Sequence, residues 1–287
     1  MPENLIFRIG EVGIGLVGNP GWEYTEQERF LDFLSTSTPQ ARFNVRINQI
    51  PVEPSNPPIF TSGLIWRLYQ HHGRWLIWIQ RGLNPYLVGS FTLNFHSGEI
   101  FTSESQKEPG KFVFPISYPM GELLMTNLLG TGYGIMLHSC GLIDRGNGIV
   151  FAGIGNAGKT TTARLWNNNP GVRVLNDDHT ILRKIDGQFR VYGTPWHGQG
   201  GFALAEDAPI KKMFILKHAP SNQAVRLSPV QAVADLLVRT FAPLGSAPAM
   251  DFTLQFLDEL CQAIPCYELG FVPDQSAVEY IRCLSSN

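Results

Sequence analysis

The chain has 287 residues, of which 44% are hydrophobic and 16% charged, with a formal net charge of -2. That length accommodates one large domain or two of ordinary size, and the lack of a basic block argues against a nucleic-acid track. No apolar run reaches the roughly 18 to 20 residues of a spanning helix, so no membrane association is expected.

Residues 1–11 carry Glu3 and Glu11 and no long apolar core, which argues against a secretory signal. Ala41 to Ile50 has strand character and runs into the breaker-rich segment 51–58. Leu64 to Tyr69 and Trp75 to Gln80 are aromatic and β-branched runs joined through His71-His72-Gly73-Arg74, a hairpin pattern. Tyr86 to Phe95 alternates apolar with small or polar residues, and Ser97-Gly98 reads as the turn that ends it. Residues 1–128 are therefore expected to be an antiparallel, β-rich recognition or assembly region, distinct from residues 129–287. His71, His72 and His96 read as turn or surface residues, and Trp66, Trp75 and Trp78 as core or interface.

Pro119 to Leu129 is a candidate helix with Leu123, Leu124, Leu128 and Leu129 on its apolar face. Ile135 to His138 reads as a strand, followed by a tight connection through Gly141 to Gly148 in which Asn147-Gly148 favours a hairpin turn. The next strand, Ile149 to Ala152, should then pair antiparallel with the one carrying His138. Thr160 to Trp166 begins a short helix, Val172 to Leu175 is a strand, and Asp186-Gly187 joins Ile181–Ile185 to Gln188–Tyr192 as a hairpin. Met213 to Leu216 is a hydrophobic strand. Pro229 to Phe241 and Met250 to Leu260 read as helices, and Val278 to Cys283 closes the pattern. Cys140, Cys261, Cys266 and Cys283 are too few and scattered for a disulfide framework, so reduced thiols and a cytoplasmic location are expected.

The most informative stretch is Gly153-x-x-x-x-Gly158-Lys159-Thr160, a phosphate-binding loop set between a strand and a helix. Gly153, Gly155, Asn156, Ala157, Gly158, Lys159, Thr160 and Thr161 are the candidate nucleotide-binding residues. The glycines let backbone N–H groups curl around a polyphosphate, and the helix N-terminus favours the anion. Lys159 supplies a point charge to the terminal phosphates, and Thr160 a hydroxyl for magnesium. Asp177-Asp178 follows a strand, where an α/β sheet builds its site, and phosphoryl transfer needs carboxylates for the cation and for an acceptor hydroxyl. Neighbouring residues in extended chain point to opposite faces, so the two need not share a job.

In order along the chain, His138, the loop Gly153–Thr160, Leu175-Asn176-Asp177-Asp178 and Gly193-Thr194-Pro195 resemble the C-terminal catalytic domain of the HPr serine kinase/phosphorylase family, which is related to the ATP-dependent phosphoenolpyruvate carboxykinases. The resemblance spans about residues 130 to 285, and is nearest to the kinase-like relatives of ribosomal peptide pathways, lasso peptides among them. It implies an α/β fold with a P-loop core behind a β-rich N-terminal region. It also implies an ATP- and Mg2+-dependent kinase, GTP remaining open, that phosphorylates a hydroxyl such as serine of a peptide or small protein. Asp177 would be the base, Thr160 and Asp178 the metal ligands, Lys159 the phosphate contact, and His138 a neighbour of the transferred group. His197, Arg226 and Arg239 are weaker candidates, and the family permits a homo-oligomer. The alternatives are a small-molecule kinase, phosphorylase or carboxykinase, and a nucleotide-binding regulator that transfers nothing.

Overall fold

The computed structural model describes residues 4–18, 28–105 and 110–284; Glu3, part of the N-terminal signal reading, lies outside them. The chain divides into two compact units, 1–128 and 129–287.

The first unit contains β1 (Asn4–Ile9), β2 (Val12–Val17), α1 (Glu28–Leu31), β3 (Ala41–Ile47), β4 (Phe60–Ser62), β5 (Trp66–His71), β6 (Arg74–Arg81), β7 (Asn84–Phe91) and β8 (Ser97–Thr102), and it ends in α2 (Met120–Leu129). Its strands form one sheet in the order β1-β2-β3-β8-β7-β6-β5-β4. The β5–β6 hairpin turns on His72 and Gly73, whose φ of 47° and 70° twists the turn with the strands it joins. Along β6, Ile77 and Ile79 alternate with Leu76 and Trp78, and all four are buried, so both faces of the strand are covered. Trp78 packs with Tyr69, Leu76 and Val88 on one of those faces.

Three expectations for this unit change. The sheet is mixed, because β2–β3 and β3–β8 pair in parallel; β3 is reached through residues 18–40, long enough for the crossover that a parallel partner needs. The hairpin β1–β2 is a further element, which glycines at 10, 13 and 15 make weak in strand propensity. The turn between β7 and β8 falls at Thr92–His96, where Phe95 takes a φ of 57°, and Ser97 already opens β8.

The second unit contains β9 (Ile135–Asp144), β10 (Asn147–Ala152), α3 (Lys159–Asn167), β11 (Val172–Asn176), β12 (His179–Ile185), β13 (Gln188–Tyr192), β14 (Asp207–His218), β15 (Gln223–Arg226), α4 (Pro229–Leu237), β16 (Thr240–Phe241), α5 (Ala247–Ala263), β17 (Cys266–Phe271) and α6 (Gln275–Cys283). It is a mixed α/β fold built on two long strands. The first half of β9 pairs with β12 and β16, and its second half with β10 and β11. β14 likewise meets β13 first, then β10 and β17 in parallel. Alternation along β10 sends Val150 and Ala152 toward α4 and α5, and Phe151 toward α3 and α6. Phe151 stacks on Phe214 at 5.3 Å and meets Trp166 of α3 at 5.9 Å, which fixes the helix over the strand that feeds it.

β9 runs unbroken to Asp144, where a shorter strand was expected, and its turn onto β10 is Arg145-Gly146, with φ of 52° and 82°. Asn147, expected within the turn, already pairs with Asp144. The antiparallel pairing with the strand carrying His138 is as the sequence implied. The helix from Pro229 stops at Leu237, because Thr240 and Phe241 leave it to pair with Leu137 and Met136 of β9. No helix among the described residues is long and apolar enough to cross a membrane.

Candidate functional site

β10 ends at Ala152, and residues 153–158 carry the chain into α3. Two positions in that loop take left-handed backbone, Asn156 at φ 63° and Gly158 at φ 103°. A Cβ on Gly158 would stand 2.9 Å from the Phe271 ring, so glycine is needed there for space as well as for its dihedral. Phe271 and His218 are register partners at the ends of β17 and β14, and His218 Nε2 lies 3.0 Å from the Asn156 carbonyl oxygen. The two strand ends therefore brace both left-handed residues of the loop.

The loop opens onto a cleft of about 430 Å³. Of the expected nucleotide-binding residues, Gly155, Asn156, Gly158, Lys159, Thr160 and Thr161 line it. Gly153 and Ala157 do not: the Ala157 methyl is buried in the core, and a Cβ on Gly153 would meet it at 2.7 Å. Their task is to close the loop on itself. His138 and Asp178 line the cleft too, whereas Arg226, Arg239 and His197 are not among its lining residues. Arg226 lies over the Tyr267 ring, Arg239, just past the end of α4, is tied to Asp235 of that helix, and His197 Nδ1 sits 2.7 Å from the Gly198 carbonyl oxygen.

Lys159 is buried, and its ammonium donates to the carbonyls of Gly153 and Ile154 at 3.0 and 3.1 Å. It also lies 3.6 Å from Asp178 Oδ1. Burial lowers its pKa, and the neighbouring Asp178 charge opposes that shift.

The two aspartates part company. Asp177 has 0% exposure. Its Oδ2 accepts from the Thr160 hydroxyl at 2.8 Å and the Gly200 N–H at 2.8 Å, and its Oδ1 accepts from the Gly198 N–H at 3.1 Å. With those bonds made and no surface open to the cleft, it is poorly placed for the expected role of proton acceptor. Asp178 faces the cleft instead. Its Oδ1 is 2.7 Å from His138 Nε2, and its Oδ2 is 3.3 Å from His179 Nδ1. Burial alone would raise the Asp178 pKa, but the His138 hydrogen bond and the electrostatic influence of neighbouring His179, His138 and Lys159 hold it below the usual carboxylate range.

Several residues that build this geometry were given no role by the sequence, although Asn176 and Thr194 fall within the stretches Leu175–Asp178 and Gly193–Pro195 that carry the resemblance. Asn176 is fully buried, and its Oδ1 accepts from the N–H groups of both Asp178 and His179 at 2.7 Å. Its Nδ2 donates to the carbonyls of Thr194 and Trp196. This single amide ties the strand end carrying both aspartates to the 194–196 segment. Thr194 completes the tie by donating to the His179 carbonyl at 2.8 Å. His179 is buried, stacks on Phe241 at 4.9 Å, and has its pKa pushed down to about 4, chiefly by burial. The short strand β16, hidden inside an expected helix, supplies that ring. A Cβ on Gly198 would lie 2.8 Å from Asp177 Oδ2 and 3.0 Å from Asp178 Cβ, and one on Gly200 2.7 Å from Asp177 Oδ2, so Gly198 and Gly200 admit the carboxylate. Those glycines are a sequence signal for this part of the site beyond the stretches Leu175–Asp178 and Gly193–Pro195.

No group of three or more His, Cys, Asp or Glu suited to hold a metal occurs among the described residues. Magnesium at a phosphate site takes one or two protein oxygens and the rest from phosphates and water. A threonine hydroxyl that donates its proton to a buried carboxylate leaves its lone pairs for such a cation, so the Thr160–Asp177 pair fits that requirement.

No family model matches the chain, and no curated protein matches it. Among solved structures, the Hpr(Ser) kinase/phosphatase from Coxiella burnetii aligns with 51% of this chain and 95% of its own, at 12% identity and a TM-score of 0.30. A likeness that faint carries no argument about activity, which rests on the residues of the cleft.

Proposed function

We propose that residues 129–287 form an ATP- and magnesium-dependent phosphotransferase acting on a hydroxyl, with serine of a peptide or small protein as the acceptor. The observation that carries the reading is the convergence of Lys159, Thr160, His138 and Asp178 on one cleft at the N-terminus of α3. Magnesium, when bound, neutralises charge on the β- and γ-phosphates. Lys159 stands where a γ-phosphate over the loop would meet it, and the first N–H groups of α3 face the same anion. Asp177 acts as a positioning residue: it holds the Thr160 hydroxyl in one orientation and is itself fixed by the N–H groups of Gly198 and Gly200.

The acceptor's proton goes to Asp178. This reverses the roles that the resemblance implied for the two aspartates, and it follows from which carboxylate faces the cleft. A low carboxylate pKa is tolerable because the transition state of phosphoryl transfer is loose, so orienting the hydroxyl matters more than strong basicity. His138, 2.7 Å away, holds the carboxylate in place and can pass the proton onward. The mixed sheet of residues 1–128 serves acceptor recognition or assembly in this reading.

The test is transfer from γ-labelled ATP, with magnesium, to peptides and proteins of the source cell. Label on one serine-containing species, lost in Lys159→Ala and in Asp178→Asn, is the expected result. Label on a small molecule would redirect the acceptor, and nucleotide binding without any labelled acceptor would favour a regulatory protein over an enzyme.

A further inference from the structure

Arg164 is a charged cleft residue that these roles leave unused. It lines the cleft from the second turn of α3, is exposed, and its side chain makes no hydrogen bond or ion pair among the described residues. Lys159, the cleft's other formal cation, already lies 3.6 Å from Asp178. Arg164 is thus the unmatched positive charge of the site.

Its place on the helix indicates what it reads. Residues 160, 161 and 164 are neighbours on one face of α3, and long helical side chains lean back toward the N-terminus. The guanidinium therefore covers the first turn, beside Thr161. The cleft also has a direction. Lys159 and the half-buried Asp178 mark its inner end, whereas Thr161 and Arg164 are exposed at its outer end. A polyphosphate with its terminal group at Lys159 and Asp178 runs outward, and its innermost-linked phosphate, which bears the nucleoside, arrives at Thr161 and Arg164.

We propose that Arg164 binds the α-phosphate, so that the site selects nucleoside di- and triphosphates over free pyrophosphate. This rests on the phosphotransferase reading of the same cleft. A planar guanidinium suits the contact because it bonds two oxygens of one phosphate at once.

The experiment is calorimetric titration of the full chain and of Arg164→Gln and Arg164→Lys with ATP, ADP and pyrophosphate, each with magnesium. Glutamine keeps helix propensity at an exposed position, and a thermal melt checks the fold. Arg164→Gln should weaken ATP and ADP about tenfold while pyrophosphate stays within about twofold; Arg164→Lys should recover part of the loss. Equal weakening of all three ligands would reduce Arg164 to general attraction and overturn the assignment. Unchanged ATP binding would overturn it as well, and a raised acceptor KM beside it would move Arg164 to the acceptor side. If the unsubstituted chain binds no nucleotide, the phosphotransferase reading itself fails, an outcome distinct from failure of Arg164 alone.

Discussion

The two units use burial for different ends. In residues 1–128 the sheet interior is almost wholly apolar: Phe43, Leu68, Ile77, Ile79, Leu87 and Phe91 are all at 0% exposure. In residues 129–287 an apolar core of the same kind encloses Asn176, Asp177, Thr180 and Thr194, each also at 0%. Burying such groups is costly unless every one is bonded. Where they gather, the fold has been shaped around a site, and a substitution that keeps volume but breaks a bond should cost function before it costs the fold. In the first unit the order should reverse.

The sharpest test of that contrast is Lys159→Ala set against Asp178→Asn. Each should lower phosphoryl transfer by about 10³-fold, the scale expected when one group stabilising transferred charge is lost. Nucleotide affinity separates them: Lys159→Ala should lose it, and Asp178→Asn should keep it while kcat falls. Asp177→Asn should instead raise the magnesium concentration needed for half-maximal rate, because it acts through Thr160. A normal magnesium requirement in Asp177→Asn would break the division of labour between the aspartates.

Next in size is Asn176→Ala. It strands two N–H groups and two carbonyls in a fully buried place, at a cost of roughly 3 kcal/mol in denaturant unfolding. Gly198→Ala is the milder companion, since a Cβ 2.8 Å from Asp177 Oδ2 must displace the carboxylate. About tenfold lower kcat with little change in the unfolding midpoint is expected. A large stability loss and unchanged kcat would make the loop structural only.

These cases mark how far the sequence is legible. The loop Gly153–Thr160 is readable because its chemistry depends on local spacing, and the hairpin at Asp186-Gly187 because a tight turn demands particular residues. The double aspartate is readable as a pair, and alternation rightly separates its members. Which of the two faces the cleft depends on where Gly198 and Gly200 return from a distant segment, and no local pattern carries that information. Asn176 is legible only as a member of the stretch Leu175–Asp178, and its task appears once its four partners are known. β16 escapes notice because two strand residues directly after an apolar helix continue its pattern, and only the edge of β9 distinguishes them.

Acid should find the same contrast. His179 is held neutral with its pKa down at about 4, against an ordinary 6.5. The unfolded chain therefore binds a proton there that the folded chain refuses, so stability is fully present above pH 6.5 and falls as pH drops toward 4. Between pH 7 and 5 the loss should be about 2 kcal/mol. Asp178 works later: its depressed pKa contributes stability above the ordinary carboxylate range, which is lost only as pH falls through its folded value. His179→Phe should flatten the upper part of the profile in thermal melts across that range. An unchanged slope would place the acid sensitivity elsewhere.

The smallest expected effect probes the brace beneath the loop. His218 is exposed, and its one hydrogen bond to the Asn156 carbonyl holds a left-handed residue in the wall of the cleft. A bond of that kind at the surface contributes about 0.5–1 kcal/mol, so His218→Ala should weaken ATP binding roughly threefold and leave unfolding almost unchanged. His218→Gln, which can donate from a similar distance, should restore most of the affinity. If Gln and Ala weaken binding alike, the ring itself touches the ligand and the brace is Phe271 alone. If neither weakens it, the loop keeps its curl through Gly158 and the Phe271 ring, and the strand-end pair acts on one side only.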